Sequence, residues 1–141
     1  MDAFELRIVD ISDSEFLYCL LKDRPVEVNI SHKSMPSFEQ HQKFVRNWPQ
    51  QYEAWYIVLD WGVPIGSVYL THKREVGLFI LASHQSKGLG TKALAKLIYD
   101  HPKNSYLANI SPNNSRSMAF FQRHLFVPIK NTLEFVIGDP P

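Results

Sequence analysis

The sequence predicts a mixed α/β fold of the α+β kind, in which a central, mostly antiparallel sheet is flanked by about four helices. Apolar residues alternate with a period of two over residues 54–60 and 63–71, and the short turn Trp61-Gly62 joins these two predicted strands. The continuous apolar run over residues 76–82 predicts a third strand. Segments with helical periodicity lie before and after this group of strands. Strands joined by tight turns pair as antiparallel neighbours, which predicts the direction of the sheet.

Length and composition indicate one domain over residues 1–141. The hydrophobic fraction is 45% and the net charge is +1 without a basic or acidic run, so we expect neither nucleic acid nor a membrane as partner. No apolar stretch approaches 18 residues, and Met1 to Glu5 do not resemble a signal peptide. Cys19 is the single cysteine and is expected to be a core or half-buried residue, not a nucleophile. Because no internal disulfide is possible, we expect a cytoplasmic protein, either a monomer or a homodimer.

The segments before the strand group predict one strand and two helices. Residues 4–9 alternate as a strand, and a helix begins at residue 12 or 13 and ends near residue 22. A long connection, residues 24–37, precedes a second helix over residues 38–48. The pattern Ser37-Phe-Glu-Gln40 is a capping box for the start of that helix. Long connections between helices are often functional, so we expect this one to border a site.

The segments after the strand group predict two helices and three strands. Helical periodicity begins at about Gly88 and ends before Pro102, and Asn113 or Asn114 caps a last helix. The predicted elements are helices at about residues 88–100 and 115–124 and strands at residues 106–110, 126–129 and 132–137.

A glycine-bearing loop, Gln85-x-x-Gly88-x-Gly90, connects the strand 76–82 to the helix that follows. Such a loop leaves backbone N–H groups at the positive end of a helix dipole, where phosphate groups bind without a metal. A dinucleotide-binding fold does not fit, because only 53 residues follow Gly88 and the glycines lie six residues beyond the strand end. The P-loop consensus is absent. A helix that merely begins near glycines is the remaining alternative.

A metal site is not expected. The six histidines are scattered along the chain, and none lies four residues from a second ligand on a predicted helix. No cluster of carboxylates accompanies them.

The order of the elements and two motifs resemble the GNAT superfamily of acyl-CoA N-acetyltransferases over nearly the whole chain. The glycine loop meets the motif Q/R-x-x-G-x-G/A, and residues 114–126 meet much of the motif N-x-x-S/A-x-x-L/F-Y-x-x-x-G-F. The run Glu75-Val-Gly-Leu-Phe-Ile looks like the branch that contains ribosomal-protein alanine, spermidine and bacterial amino-sugar acetyltransferases. Residues 32–41 look most like the amino-sugar members. The resemblance implies a sheet that splays apart beside its central strand.

For the acyl donor, the resemblance implies acetyl-CoA as cosubstrate. Its pyrophosphate would lie on the loop N–H groups with the Thr91 hydroxyl as a further donor, while Lys87 would add charge or stay solvated. The pantetheine arm would extend the sheet near Ile80 and Leu81, where an N–H would polarise the thioester carbonyl. Asn114 would bond the arm or simply cap its helix. The implied cofactor-binding residues are Ile80, Leu81, Gln85, Ser86, Lys87, Gly88, Leu89, Gly90, Thr91, Asn114, Ser117 and Phe121.

The acceptor amine must lose a proton before it attacks, because an alkyl amine such as that of lysine has a pKa of about 10.4. Glu75, at the start of the central strand, is the candidate catalytic base, and a structural acid paired with Lys73 or Arg74 is the alternative. Other candidate bases are His32 and His72. The candidate acceptor-binding residues are His32, which would otherwise be a solvated loop residue, and Asn109.

Two positions depart from the family motif. The tyrosine that often protonates the leaving thiolate is Phe121 here, and the glycine before the last phenylalanine is Leu125. Because a thiol has a pKa of about 8–9, the thiolate can leave without an acid. We therefore expect slower turnover or a different acid, for which Tyr69 and Tyr106 are candidates.

The sequence thus predicts an acetyl-CoA-dependent N-acetyltransferase that acts on a primary amine by direct attack in a ternary complex. The resemblance favours a nucleotide-linked amino sugar as acceptor. A protein N-terminus or a polyamine is the alternative acceptor, although the connection 24–37 offers only Glu27 as a carboxylate for a polyamine. A non-catalytic acyl-CoA-binding regulatory module would account for Phe121 and Leu125, and an acyl group other than acetyl is a further option.

Overall fold

The structure is a computed structural model that describes residues 3–23, 35–85, 87–135 and 137. Four strands form one antiparallel sheet in the order β1-β2-β3-β4, which confirms the predicted fold class. The strands are β1 (Phe4–Ile8), β2 (Tyr52–Asp60), β3 (Val63–Thr71) and β4 (Val76–Ile80). The α-helices of the described residues are α1 (Ser14–Lys22), α2 (Phe38–Arg46), α3 (Leu89–Asp100) and α4 (Ser115–Arg123), with single 3-10 turns at Ile11–Asp13, Trp48–Gln50 and Ala82–His84.

Two turns set the direction of the central strands. Between β2 and β3, Trp61 and Gly62 have φ angles of 52° and 78°, the pair of positive values that a two-residue type I′ hairpin needs. Between β3 and β4, the Arg74 N–H donates to the Thr71 carbonyl at 3.1 Å, and Arg74 itself has a φ of 67°. A β-turn followed by one left-handed residue sends the chain back with a bulge. This turn places Glu75 directly before β4.

The sheet separates two hydrophobic cores. On one side, which we call the α3 face, buried strand residues such as Val68 pack against Leu97 of α3 and against α4. On the other side, the α1–α2 face, helices α1 and α2 cover Ile57 and its neighbours. Successive side chains of a strand point to opposite faces, so Leu78 of β4 packs toward the α3 face and Phe79 toward the α1–α2 face.

Three of the predicted strands are wrong. Residues 106–110 contribute only one parallel bridge, between Leu107 and Glu75. Among residues 126–129 and 132–137, no residue that the structure describes lies in a strand. Alternating apolar residues favour a strand, but a strand forms only where a neighbour supplies the other half of the hydrogen-bond ladder.

Two smaller expectations also end differently. Cys19, expected to be buried or half-buried, is exposed, because Leu17 and Leu20 form the buried side of α1. The long connection 24–37, including His32, lies outside the described residues apart from its last three positions.

Candidate active site

One edge of β4 presents backbone groups that pair with no strand in the described part of the chain. The Leu81 N–H donates to the Ile65 carbonyl at 2.8 Å, in register with the β3–β4 ladder. Hydrogen bonds of an antiparallel ladder alternate along the strand, so the odd-numbered residues of 75–81 direct their backbone groups toward β3. The backbone groups of Leu78 and Ile80 therefore point to the opposite edge.

The segment on that opposite edge meets β4 at a single point. The Val76 N–H donates to the Leu107 carbonyl at 2.7 Å, and the Leu107 N–H donates to the Arg74 carbonyl at 2.8 Å. Beyond this bridge, no backbone hydrogen bond joins residues 108–110, all of which are described, to β4. The ladder ends there, which leaves the backbone of Leu78 open.

Gln85 closes the far end of this edge. Its side-chain Nε2 donates to the Ile80 carbonyl at 2.9 Å, so Ile80 keeps only its N–H on the open edge. Leu81 does not belong to the edge as predicted, because its N–H is used by β3 and its carbonyl accepts the His84 N–H at 2.8 Å. No sequence motif singles out Leu78, whose open backbone follows only from the register of the β3–β4 pairing.

The loop after β4 ends at an uncapped helix N-terminus. Gly88 precedes α3 with a φ of 77°, and a Cβ added there would meet no atom within 4 Å. No side chain of the described residues caps α3, and the first helical bond runs from the Lys92 N–H to the Gly88 carbonyl at 3.2 Å. The N–H groups of residues 89–91 consequently find no acceptor among the described residues. Lys87 is exposed beside them, whereas Ser86 lies outside the description.

Helix α4 packs against this helix N-terminus. Thr91 Oγ1 shares a hydrogen bond of 3.0 Å with Nε2 of His124, so the hydroxyl that was predicted to face a phosphate already has a partner. A Cβ added at Gly90 would lie 3.3 Å from both Leu78 and Phe120. Gly90 therefore serves the close packing of α3, whereas Gly88 leaves open space. His124 was missed, since no local pattern links it to a residue 33 positions away.

The motif residues of α4 have structural contacts. Asn114 Oδ1 accepts the Ser117 N–H at 3.1 Å and caps the helix, which was the alternative role considered for Asn114. Phe121 is 4% exposed and packs edge-on against Phe120 and Phe126. The structure therefore makes Phe121 a core residue and does not place it on the open edge as a binding residue.

Neighbouring side chains hold both oxygens of the Glu75 carboxylate. Oε1 accepts the Thr71 hydroxyl at 3.1 Å, and Oε2 accepts Nδ2 of Asn109 at 2.7 Å. Two predicted site residues, Glu75 and Asn109, are thus brought into direct contact. Among the described residues, no ion pair joins Glu75 to Lys73 or Arg74, so that structural alternative is not formed.

Glu75 also lines a cavity of about 310 Å³. The other lining residues are Gln50, Gln51, Thr71, His72 and Lys73. His72, one of the alternative bases, has its Nε2 at 2.9 Å from the Pro49 carbonyl, so the backbone already engages that nitrogen. Glu75 is the carboxylate of this cavity, and its contacts fix the direction of both oxygens.

The two tyrosines considered as substitute acids differ in their surroundings. The Tyr106 hydroxyl donates to the His101 carbonyl and accepts the Lys103 N–H, both at 2.8 Å, beyond the C-terminal end of α3. Tyr69 instead lies opposite Gly77 in the β3–β4 ladder and is half-buried on the α1–α2 face.

In the ranges that the structure describes, no group of three or more His, Cys, Asp or Glu side chains is arranged to hold a metal ion. Within the same ranges, no helix combines the length and apolar character needed to cross a membrane.

Comparison with known protein families shows to which family this chain belongs. The model of the acetyltransferase (GNAT) family matches residues 15–126, which is most of the sequence. The chain belongs to the GNAT family. It is accordingly an acetyl-CoA-dependent GNAT acetyltransferase whose acceptor the family does not specify. No curated protein matches it by sequence.

Solved structures share this GNAT fold at low identity. An acetyltransferase from Thermus thermophilus has a TM-score of 0.72 at 19% identity, over 93% of this chain and 92% of that chain. The aminoglycoside N-acetyltransferase AAC(6')-Iy, in complex with CoA, has a TM-score of 0.72 at 17% identity, over 96% and 95%. RimL, a ribosomal L7/L12 alpha-N-protein acetyltransferase in complex with coenzyme A, has a TM-score of 0.70 at 17% identity, over 87% and 79%. At these identities the likeness concerns the fold alone.

Proposed function

We propose that this GNAT enzyme transfers the acetyl group of acetyl-CoA to the primary amine of an amino sugar by direct attack in a ternary complex. The observation that supports the proposal is the sequence of features along β4. The Glu75 carboxylate precedes the strand, the open groups of Leu78 and Ile80 follow, and the N-terminus of α3 lies beyond its end. These features offer in turn a proton acceptor, a strip of backbone and an anion site.

The features beyond Glu75 fit the chemistry of acetyl-CoA. A pantetheine arm carries amide groups, which can pair with an open strand edge as an added strand would. The N–H groups at the start of the 12-residue helix α3 favour a pyrophosphate through the helix dipole. Lys87 supplies positive charge nearby, and the empty space around Gly88 lets phosphate oxygens approach the backbone. When bound, acetyl-CoA supplies the thioester.

Residues of the chain take up the amine proton and polarise the thioester carbonyl. The Glu75 carboxylate, oriented by Thr71 and Asn109, takes a proton from the acceptor ammonium, so that a free amine attacks the thioester carbon. An N–H of the open edge, at Leu78 or Ile80, donates to the carbonyl oxygen as negative charge develops there. The C–N bond forms, the C–S bond breaks, and its electron pair leaves on sulfur.

The cavity beside Glu75 supports a sugar amine as acceptor. The side-chain amides of Gln50 and Gln51 are groups that pair with sugar hydroxyls. A polyamine would need several carboxylates, and Glu75 is the single one among the lining residues. Among the similar structures, one is named for aminoglycosides, whereas RimL is named for a ribosomal protein. A protein N-terminus is therefore the second candidate acceptor.

Calorimetric titration with CoA tests the anion site. An alanine at position 88 would cost about 1–2 kcal/mol in the left-handed conformation, so the loop of Gly88→Ala should relax away from it in the free protein. Because CoA binding must then restore that conformation, we expect CoA affinity to fall about tenfold. Gly62→Ala is the matched control, because Gly62 has a φ of 78° and equally open space but lies in the β2–β3 hairpin. If Gly88→Ala and Gly62→Ala bind CoA equally well, the N-terminus of α3 is not the pyrophosphate site.

The acceptor is tested by release of free thiol from acetyl-CoA and by acetyl mass gain across a panel of amines. The panel contains nucleotide-linked amino sugars, aminoglycosides, peptides with free N-termini and polyamines. We expect turnover with an amino sugar, and a loss in kcat on the order of 10²–10⁴-fold in Glu75→Gln. Glu53→Gln, which removes a carboxylate elsewhere on β2, is expected to keep kcat. Tight CoA binding without turnover on any amine would instead indicate a regulatory module.

A further inference from the structure

A tyrosine of β3 extends over β4 through a space that only a glycine leaves. Tyr69 and Gly77 are direct partners in the antiparallel ladder. A Cβ added at Gly77 would overlap Cε2, Cζ and Oη, the outer atoms of the Tyr69 ring. The ring thus lies on the bare backbone of β4, and Gly77 is buried beneath it.

The Tyr69 side chain starts on β3, but its hydroxyl lies over β4. Cα atoms of a hydrogen-bonded antiparallel pair are about 5.5 Å apart, a distance that the tyrosine ring spans. Residues 75 and 77 direct their side chains to the same face of the sheet, so Tyr69 Oη and the Glu75 carboxylate share the α1–α2 face. Leu78, the first residue of the open edge, follows Gly77 immediately.

Aromatic contacts hold the ring in this position. Tyr52 stacks on Tyr69 with ring centroids 4.4 Å apart and an angle of 3° between the planes. Phe79 borders the ring on β4, with centroids 6.3 Å apart. The Tyr69 ring is therefore held by a neighbour on β2 and a neighbour on β4. A side chain that is already fixed loses little conformational freedom when it acts on a ligand, as a well-placed catalytic group requires.

Two other phenol groups near the sheet lie at the C-terminal end of α3, whereas the open edge of β4 leads to the N-terminal end of that helix. Tyr56 Oη lies 2.7 Å from Nε2 of His101, and burial raises the pKa of this phenol. Tyr106 also bonds His101 and Lys103. Phe121, where the family motif often has an acid, has no proton to give and is buried in the core of the α3 face.

We infer that Tyr69 is the acid that protonates the leaving sulfur in this enzyme, an inference that rests on the proposed acetyl transfer. As the amine nitrogen bonds to the acetyl carbon, the C–S bond breaks and its electron pair goes to sulfur. The proton of Tyr69 Oη moves to that sulfur and yields the free thiol of CoA. The acetylated nitrogen loses its second proton to water as the amide forms. The proton that Glu75 took from the ammonium returns through water to the tyrosinate, so each turnover yields the amide, the free thiol and one proton released to solvent.

Steady-state kinetics with the amine that the wild-type protein acetylates tests this assignment. Tyr69→Phe keeps the stacked ring and removes the proton, so we expect kcat to fall on the order of 10²-fold with the KM values of acetyl-CoA and amine little changed. We also expect the alkaline limb of the kcat–pH profile to disappear, since loss of the acid's proton causes it. Tyr106→Phe, which removes a hydroxyl at the end of α3, is the control and should keep kcat.

A second variant moves the hydroxyl without removing it. The Cβ of Gly77→Ala must displace the Tyr69 ring, so kcat should fall while calorimetric CoA affinity stays within about threefold, a change below 1 kcal/mol. A Tyr69→Phe enzyme with unchanged kcat and unchanged alkaline limb would overturn the assignment. So would a raised amine KM at constant kcat, which would make Tyr69 a residue that binds the acceptor. A wild-type protein that acetylates no amine overturns the proposed transfer itself, and with it this role for Tyr69.

Discussion

At the scale of single residues, Leu125 occupies a position where the family motif has glycine, and its backbone conformation is unfavourable for leucine. Its φ of 71° is the left-handed value that ends a helix. The Phe126 N–H donates to the Phe121 carbonyl and the Leu125 N–H donates to the Gln122 carbonyl, both at 3.0 Å, which is the Schellman arrangement. The rings of Phe126 and Phe121 make the accompanying apolar contact. This geometry favours glycine, whereas the sequence has leucine.

Leu125→Gly is therefore expected to stabilise the protein. Leucine in the left-handed region costs about 1–2 kcal/mol, and Leu125 is 88% exposed, so its side chain contributes little burial. We expect the free energy of unfolding in urea to rise by about 1 kcal/mol. Leu133→Gly is the matched control, because Leu133 is 94% exposed and does not have a positive φ. Equal effects at both positions would show that strain at Leu125 is not the cause.

At the scale of elements, the start of α2 was predicted from the four residues 37–40. Ser37 Oγ accepts the Gln40 N–H at 3.1 Å, and Gln40 Oε1 accepts the Ser37 N–H at 3.0 Å. This reciprocal pair confirms the capping box read from the sequence. The bonds are local, so they form wherever the helix forms.

Removal of this cap should weaken the whole domain, because α2 covers the core of the α1–α2 face. We expect Ser37→Ala to lower the free energy of unfolding by about 1 kcal/mol, measured in urea. Ser37→Asp keeps an acceptor for the Gln40 N–H and should unfold close to wild type. If alanine and aspartate at this position are equally stable, the cap does not stabilise α2.

At the scale of the whole molecule, Glu53 links β2 to the chain after α3. Its Oε1 accepts Lys103 Nζ at 2.7 Å, and its Oε2 lies 3.4 Å from Nδ1 of His101. The hydrogen bond from Lys103 lowers the pKa of the Glu53 carboxyl, and the nearby His101 adds to this effect. Since the folded pKa lies below the unfolded one, this stabilisation is present above the unfolded pKa, about 4.3, and is lost as the pH falls through the folded pKa.

Glu53→Gln should therefore destabilise the protein in a pH-dependent way. The side chain is 30% exposed, so we expect the free energy of unfolding to fall by only about 0.5–1 kcal/mol at pH 7. Urea unfolding at a series of pH values should show the wild type and the variant converging as the pH drops below about 4. Curves that stay parallel down to pH 3 would mean that the Glu53–Lys103 pair does not contribute through its charge.

Features that depend on neighbours along the chain could be predicted from the sequence. The α-helices, the hairpin at Trp61-Gly62 and the glycine loop before α3 follow from periodicity, turn chemistry and capping, all of which act over a few residues. Glu75 was singled out by its place before a strand. The two family motifs could be recognised in the sequence because each is a short continuous segment, residues 85–90 and 114–126.

Contacts between residues distant in sequence could be read only from the folded chain. Whether residues 106–110 pair with β4 depends on a partner strand distant in sequence, and only Leu107 finds one. The register of the β3–β4 ladder directs the backbone groups of Leu78 away from β3 and the N–H of Leu81 toward it. The placement of Asn109 against Glu75, and of the Tyr69 ring over Gly77, likewise depends on register and packing between separate segments, which no local pattern encodes.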